Sequence, residues 1–143
     1  MYKGLRILLI APAYNEEVKI KEVVRRVPRD VVDKVVVVDD GSTDGTAAAA
    51  EAMGAVVHKI GATRGVGYAI REGFAVARRE GFDVAVVIAG NNKDAPEEIP
   101  RLLEPIAAGS SDFVVGSRYL EGGACGGEMP LYRKWATRLH PFL

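Results

Sequence analysis

The sequence predicts a single α/β domain, a mainly parallel sheet with helices on both faces. Three observations lead there. Continuous apolar stretches of strand length recur at Ile7-Leu8-Leu9-Ile10, Val35-Val36-Val37-Val38 and Val84-Ala85-Val86-Val87-Ile88, and strands apolar on both faces belong in a parallel sheet buried from both sides. Segments of helical spacing lie between them, each ending at a glycine or proline. The chain has 143 residues, 48% of them hydrophobic and 27% charged, the size and composition of one soluble domain.

Taken in order, Ile7 to Ile10 is the first strand, and Val18, Ile20, Val23, Val24 and Val27 mark a helix that stops before Pro28. Val35 to Val38 is the second strand, and the alanine-rich segment from Thr46 to Met53 is a helix stopped by Gly54. A short strand at Val56-Val57-His58 precedes a helix marked by Ala69, Ile70, Phe74 and Ala75 and closed by Gly81. Val84 to Ile88 is the fourth strand, a helix runs from about Pro96 to Ala107, and Phe113-Val114-Val115 is expected as a fifth strand. The alternation β-α-β-α-β-α-β-α-β implies crossover connections in a parallel sheet. Ligands of such sheets sit at the carboxyl ends of the strands, so the loops after Ile10, Val38 and Ile88 are the expected site.

Charge and hydropathy narrow the function. Nineteen lysines and arginines balance 19 aspartates and glutamates, so no net field draws nucleic acid, and an anionic ligand must be held locally. The apolar run from Leu5 to Ala13 is too short to span a bilayer, and the lone Cys125 forms no internal disulfide, which fits a reducing compartment. The expected location is therefore cytoplasmic.

The first strand-end loop reads Ala11-Pro12-Ala13-Tyr14-Asn15-Glu16-Glu17, and the second reads Asp39-Asp40-Gly41-Ser42-Thr43-Asp44-Gly45-Thr46. Pro12 and Tyr14 can form a flat wall against a base or ribose, and Glu16 can accept hydrogen bonds. Asp39, closing a buried strand, can accept from the N–H edge of uracil or guanine. Ser42 to Asp44 are read as a turn and helix cap rather than as ligand contacts. Thr63-Arg64-Gly65-Val66-Gly67 leads into a helix whose N-terminus favours negative charge, which places Arg64 as a diphosphate contact. This is not the six-residue dinucleotide fingerprint and does not follow the first strand, which argues against a nicotinamide cofactor.

These motifs, in this order, resemble family 2 glycosyltransferases, and among them the polyprenyl-phosphate hexose synthases, over about Leu5 to Tyr119. The resemblance implies a GT-A (Rossmann-like) fold and a UDP- or GDP-sugar donor. It implies that Pro12, Tyr14, Glu16, Asp39, Arg64 and Gly90 bind that donor, and that the acceptor is a polyprenyl phosphate presented at a membrane surface. It also implies that residues 1–143 form one nucleotide-sugar-binding domain lacking its C-terminal acceptor part.

One segment departs from the family. After the fourth strand the family carries Asp-x-Asp, whose carboxylates hold Mg²⁺ or Mn²⁺, but here Ala89 and Asn91 stand at those positions when the chain is registered on Pro96-Glu97-Glu98-Ile99-Pro100. Hard cations want anionic oxygens. Three outcomes stay open: Asp94 and Asn91 ligate a metal; Lys93 supplies a fixed positive charge instead; or the site is inactive. Asp94 is also the candidate base should the acceptor be a hydroxyl, and Arg118, in Gly116-Ser117-Arg118-Tyr119, resembles a phosphate contact. The basic, aromatic stretch Leu131 to Leu143 reads as the start of an amphipathic helix, whose stripe either packs as core with a solvated back or lies on a membrane. The rival to a transferase is a non-catalytic nucleotide-sugar-binding module.

Overall fold

The computed structural model describes residues 1–116. They form β1 (Ile7–Ala13), α1 (Glu17–Arg26), β2 (Lys34–Asp39), α2 (Thr46–Ala52), β3 (Val56–Lys59), α3 (Val66–Arg79), β4 (Val84–Val87), a 3₁₀ turn (Pro96–Glu98) and α4 (Ile99–Ala107). All pairings are parallel and the sheet order is β3-β2-β1-β4. Central β1 is fully buried from Ile7 to Ala11 because both its faces are covered. Ile7, Leu9 and Ala11 pack with Ile20, Val23 and Val24 of α1, Ala49 and Ala50 of α2, and Leu103 of α4. Leu8 and Ile10, on the opposite face, pack with Ala69, Val76 and Ala77 of α3. The expected two-faced parallel sheet is therefore the one observed.

Sequence spacing misjudged two helix faces. Val18 is 82% exposed, because the stripe of α1 that meets the sheet is Ile20, Val23 and Val24. On α3 the buried residues are Ala69, Gly73, Val76 and Ala77, whereas Phe74 is 46% exposed. Gly73 explains this difference. A β-carbon there would come within 3.0 Å of Ile10 Cδ1, so the helix lies close on the strand through its small residues and turns Phe74 outward.

Two strand boundaries differ as well. Residues Ala11 to Ala13, expected in the first loop, continue β1 and pair with Val37, Val38 and Asp39. The expected fifth strand at Phe113-Val114-Val115 does not form: these residues are irregular, and Phe113 and Val115 are 83% and 69% exposed. Among the described residues nothing pairs with the outer edge of β4, so the β-propensity of that segment has no ladder or apolar cover to act through.

Candidate functional site

Sheet order places the site. From β1 the chain winds outward to β2 and β3, then returns so that β4 pairs on the other side of β1. The segments leaving β1 and β4 consequently diverge at the carboxyl end of the sheet, where ligands bind in open α/β folds. A cleft of about 250 Å³ lies there. One wall is Pro12, Ala13, Tyr14 and Glu16, the other is Ala89, Gly90 and Asn91, and Asp40, Thr63, Val66 and Ala69 close it.

Side chains from the second motif fix the first. Asn15, at φ 49°, donates its N–H to Ser42 Oγ (2.9 Å) and accepts the N–H of Thr43 on Oδ1 (2.9 Å). The Glu16 N–H donates to Thr46 Oγ1 (2.9 Å) and the Glu17 N–H to Asp44 Oδ2 (3.4 Å). Asp44 also accepts from the Thr46 hydroxyl and backbone; these bonds, led by the hydroxyl, hold its carboxyl below the ordinary range. Ser42, Thr43 and Asp44 thus build the turn and clamp the neighbouring loop, setting Tyr14 at the cleft, where it is 49% exposed.

The paired aspartates divide their work by position. Both are 6% exposed. Asp39 Oδ1 accepts the Ser42 N–H (2.9 Å) and so closes its own turn, and Asp39 is not among the residues facing the cleft. Asp40 does face it, its two oxygens accepting the N–H groups of Arg64 (2.7 Å) and Gly65 (2.9 Å). Asp40 thereby carries the 61–65 loop onto the cleft. Gly41 makes the approach feasible: at φ 79° it adopts a backbone conformation that side chains resist, and a β-carbon would lie 2.7 Å from Thr63 N.

Of the residues singled out in the sequence, Pro12, Tyr14, Glu16, Gly90 and Asn91 share the cleft. Arg64 is exposed beside it, its guanidinium 5.5 Å from the centroid of the Tyr68 ring. Lys93 and Asp94 lie in the exposed loop that follows Asn91, and Arg118, Cys125 and the 131–143 stretch fall outside the described residues. Asp40, Thr63 and Val66 were missed. Period-2 alternation signals Asp40, because it continues the Val36 and Val38 parity toward the α3 face; Thr63 and Val66 carry no such signal.

The loop after β4 is held by hydrogen bonds that matter for metal chemistry. Gly90 N–H donates to Pro12 O (3.0 Å), and a β-carbon on Gly90 would sit 3.0 Å from Ala13 Cβ, so this residue brings the two walls together. Asn91 Oδ1 accepts the Lys93 N–H (3.2 Å), and Asp94 Oδ2 accepts the Ala89 N–H (3.2 Å). Farther along, Arg26 of α1 pairs with Glu97, lowering the Glu97 carboxyl and raising the guanidinium. Among the described residues no three histidine, cysteine, aspartate or glutamate side chains gather as a metal site. One neutral amide and one carboxylate, both tied to the loop backbone, do not fit a resident Mg²⁺ or Mn²⁺.

The chain is an open α/β domain with its cleft at the point where strand order reverses, the place where ligands of this class of protein bind. Residues 8–142 match glycosyl transferase family 2, and the chain belongs to this family. It is 39% identical over 125 residues to polyprenol monophosphomannose synthase of Mycolicibacterium smegmatis, covering 82% of this chain and 47% of that protein. It is 38% identical over 147 residues to undecaprenyl-phosphate mannosyltransferase of Micrococcus luteus, covering 96% of this chain and 59% of the relative. Glucosyl-3-phosphoglycerate synthase from Mycobacterium tuberculosis, solved with Mn²⁺ and UDP-glucose, superposes with a TM-score of 0.64 at 31% identity, over 74% of this chain and 40% of that one. The GT-A architecture expected from the sequence is thus the one observed. The chain spans about half the length of the curated relatives it matches.

Proposed function

We propose that this chain is the donor-binding part of a glycosyltransferase that moves a hexose from a UDP- or GDP-sugar to a polyprenyl phosphate. The cleft carries the reading: in a chain of family 2, Pro12, Tyr14 and Glu16 face Gly90 and Asn91 across a space open to a nucleoside and its phosphates. Tyr14 and Pro12 supply flat apolar surface for the nucleoside, with Asp39 and Asp40 as buried acceptors at the adjoining turn. Arg64, Lys93 and Arg118 are the cations assigned to the phosphates.

In the transfer, an acceptor phosphate oxygen attacks the anomeric carbon while its bond to the nucleoside diphosphate breaks. The nucleophile is already anionic, so no protein base is required; a hydroxyl acceptor would call on Asp94. Charge developing on the leaving diphosphate falls to fixed cations, the role proposed for Lys93. A metal taken up with the donor would meet Asn91 and Asp94, a set too weak to hold it beforehand.

Among the described residues no helix is long and apolar enough to cross a membrane. The proposed setting is peripheral, at the cytoplasmic membrane face where a lipid phosphate is presented. A second reading, a nucleotide-sugar-binding module without turnover, is favoured by one observation: Ala89 and Asn91 line the cleft where the family carries aspartates. Thermal-shift titration with UDP, GDP and their hexose conjugates tests donor binding. Labelled donor incubated with polyprenyl phosphate, with and without Mn²⁺, separates the readings: transfer supports the enzyme, and binding without turnover supports the module.

A further inference from the structure

We infer that Arg26 is a positioning residue for donor binding: from α1 it fixes the loop after β4 so that Asn91 stands on the cleft wall. The inference rests on the donor-binding reading above.

The guanidinium makes three hydrogen bonds to this loop: Nε to Glu97 Oε1 (2.6 Å), Nη2 to Glu97 Oε2 (2.7 Å) and Nη1 to Asn92 Oδ1 (2.9 Å). It therefore grips the segment on both sides of Lys93 and Asp94. The grip has something to hold. Backbone bonding to the sheet runs as far as Gly90 N to Pro12 O, and Asn92, the next residue but one, takes φ 59°. Asparagine enters the left-handed region more readily than most side chains, and the Arg26 bond to the Asn92 side chain fixes which way that turn faces. Asn91 faces the cleft directly before it.

A purely stabilising role fits the geometry poorly. Glu97 is 55% and Arg26 24% exposed, so the pair lies at the surface, where even a bidentate fork adds only modestly to global stability. The planar fork instead carries direction, satisfying two acceptors at fixed angles, which a lysine cannot do. Neighbouring Arg25 supplies the control: it has the same charge on the same helix turn but pairs with Glu22, one turn back, and does not reach the loop.

The experiment compares the full chain with Arg26→Gln, Arg26→Lys and Arg25→Gln, titrating UDP, GDP and their hexose conjugates calorimetrically and following amide hydrogen exchange. The expected result is affinity about tenfold lower for Arg26→Gln, the loss of roughly one charge-assisted bond, an intermediate value for Arg26→Lys, and none for Arg25→Gln. Exchange at the 91–94 amides should quicken in Arg26→Gln by more than at amides elsewhere, with melting temperature lowered by no more than a few degrees. Equal affinities in Arg26→Gln and the parent, or an equal loss in Arg25→Gln, would overturn the inference. If the parent binds none of these nucleotides, the donor-binding reading fails, and exchange at 91–94 decides the Arg26 contact by itself: no quickening overturns it.

Discussion

Asp40→Asn is the substitution that probes the cleft most directly. The native carboxylate accepts two backbone N–H groups, from Arg64 at 2.7 Å and Gly65 at 2.9 Å, while 6% exposed. An asparagine offers one oxygen, so one N–H keeps a weaker, neutral bond and the other meets an NH₂ donor. Losing one charge-assisted bond costs about 1.5–3 kcal/mol, and neutralising the other takes roughly another 1 kcal/mol. The protein need not bear that sum. Residues 61–65 are exposed, so the loop can undock and rehydrate locally, which caps the global loss at about 1–2 kcal/mol. Urea denaturation should show that modest shift, while hydrogen exchange at the Arg64 and Gly65 amides loses its protection. Calorimetric titration should show UDP and GDP binding weakened, because Thr63 and Val66 leave the cleft wall. Full protection at those amides, or nucleotide affinity equal to the parent, would refute the reasoning.

Other perturbations have expected outcomes too. Gly73→Ala gains about 1 kcal/mol of helix propensity but drives a β-carbon against Ile10, an overpacking cost of about 1–3 kcal/mol; a net loss of about 1 kcal/mol should lower Tm by roughly 3–4 °C, and a higher Tm would contradict the packing. The Ile7 N–H, 2.7 Å from Asp33 Oδ2, is the largest cause holding that carboxyl below its ordinary range, with the N-terminal ammonium second. A depressed folded pKa gives stability that is present above the unfolded value of about 3.9 and lost as pH falls through the folded one. Asp33→Asn should therefore flatten the fall in urea midpoint below about pH 4 and leave the midpoint's pH dependence above pH 5 unaltered. Nucleotide affinity of the parent should be the same in EDTA and in Mn²⁺, whereas Ala89→Asp with Asn91→Asp, which puts two carboxylates on the cleft wall, should acquire Mn²⁺ dependence. Isothermal titration in both buffers reads this, and strong Mn²⁺ dependence of the parent would defeat it.

The sheet was legible because burial on both faces forces continuous apolar strands, and Ile7 to Ile10 and Val35 to Val38 have no other use. Helix faces were harder to read. A glycine at a helix–strand contact decides which side turns inward, and the pattern of large apolar residues around Phe74 points the other way. Phe113 to Val115 failed for a related reason, since strand propensity acts only beside a paired, covered edge. At the site, Pro12, Tyr14 and Glu16 could be found from the motif, but the part played by Asp40 depends on a loop 24 residues away that the sequence does not place.

The arrangement of the cleft follows from which residues are spent on structure and which are left facing it. Ser42 accepts the Asn15 N–H, Asn15 accepts the Thr43 N–H, Asp44 accepts the N–H groups of Thr46 and Glu17, and Asp39 closes its own turn. The conspicuous polar motifs thus act mainly as scaffold, and what they present at the opening is Tyr14, Glu16 and the wall of Ala89, Gly90 and Asn91. In that wall the side chains are small or neutral, and the loop behind it is anchored to α1 by an arginine fork. On the donor-binding reading proposed above, a diphosphate would be met by the cations of the exposed loops, where Arg64 and Lys93 lie. Those two loops are held through Asp40 on one side and Arg26 on the other.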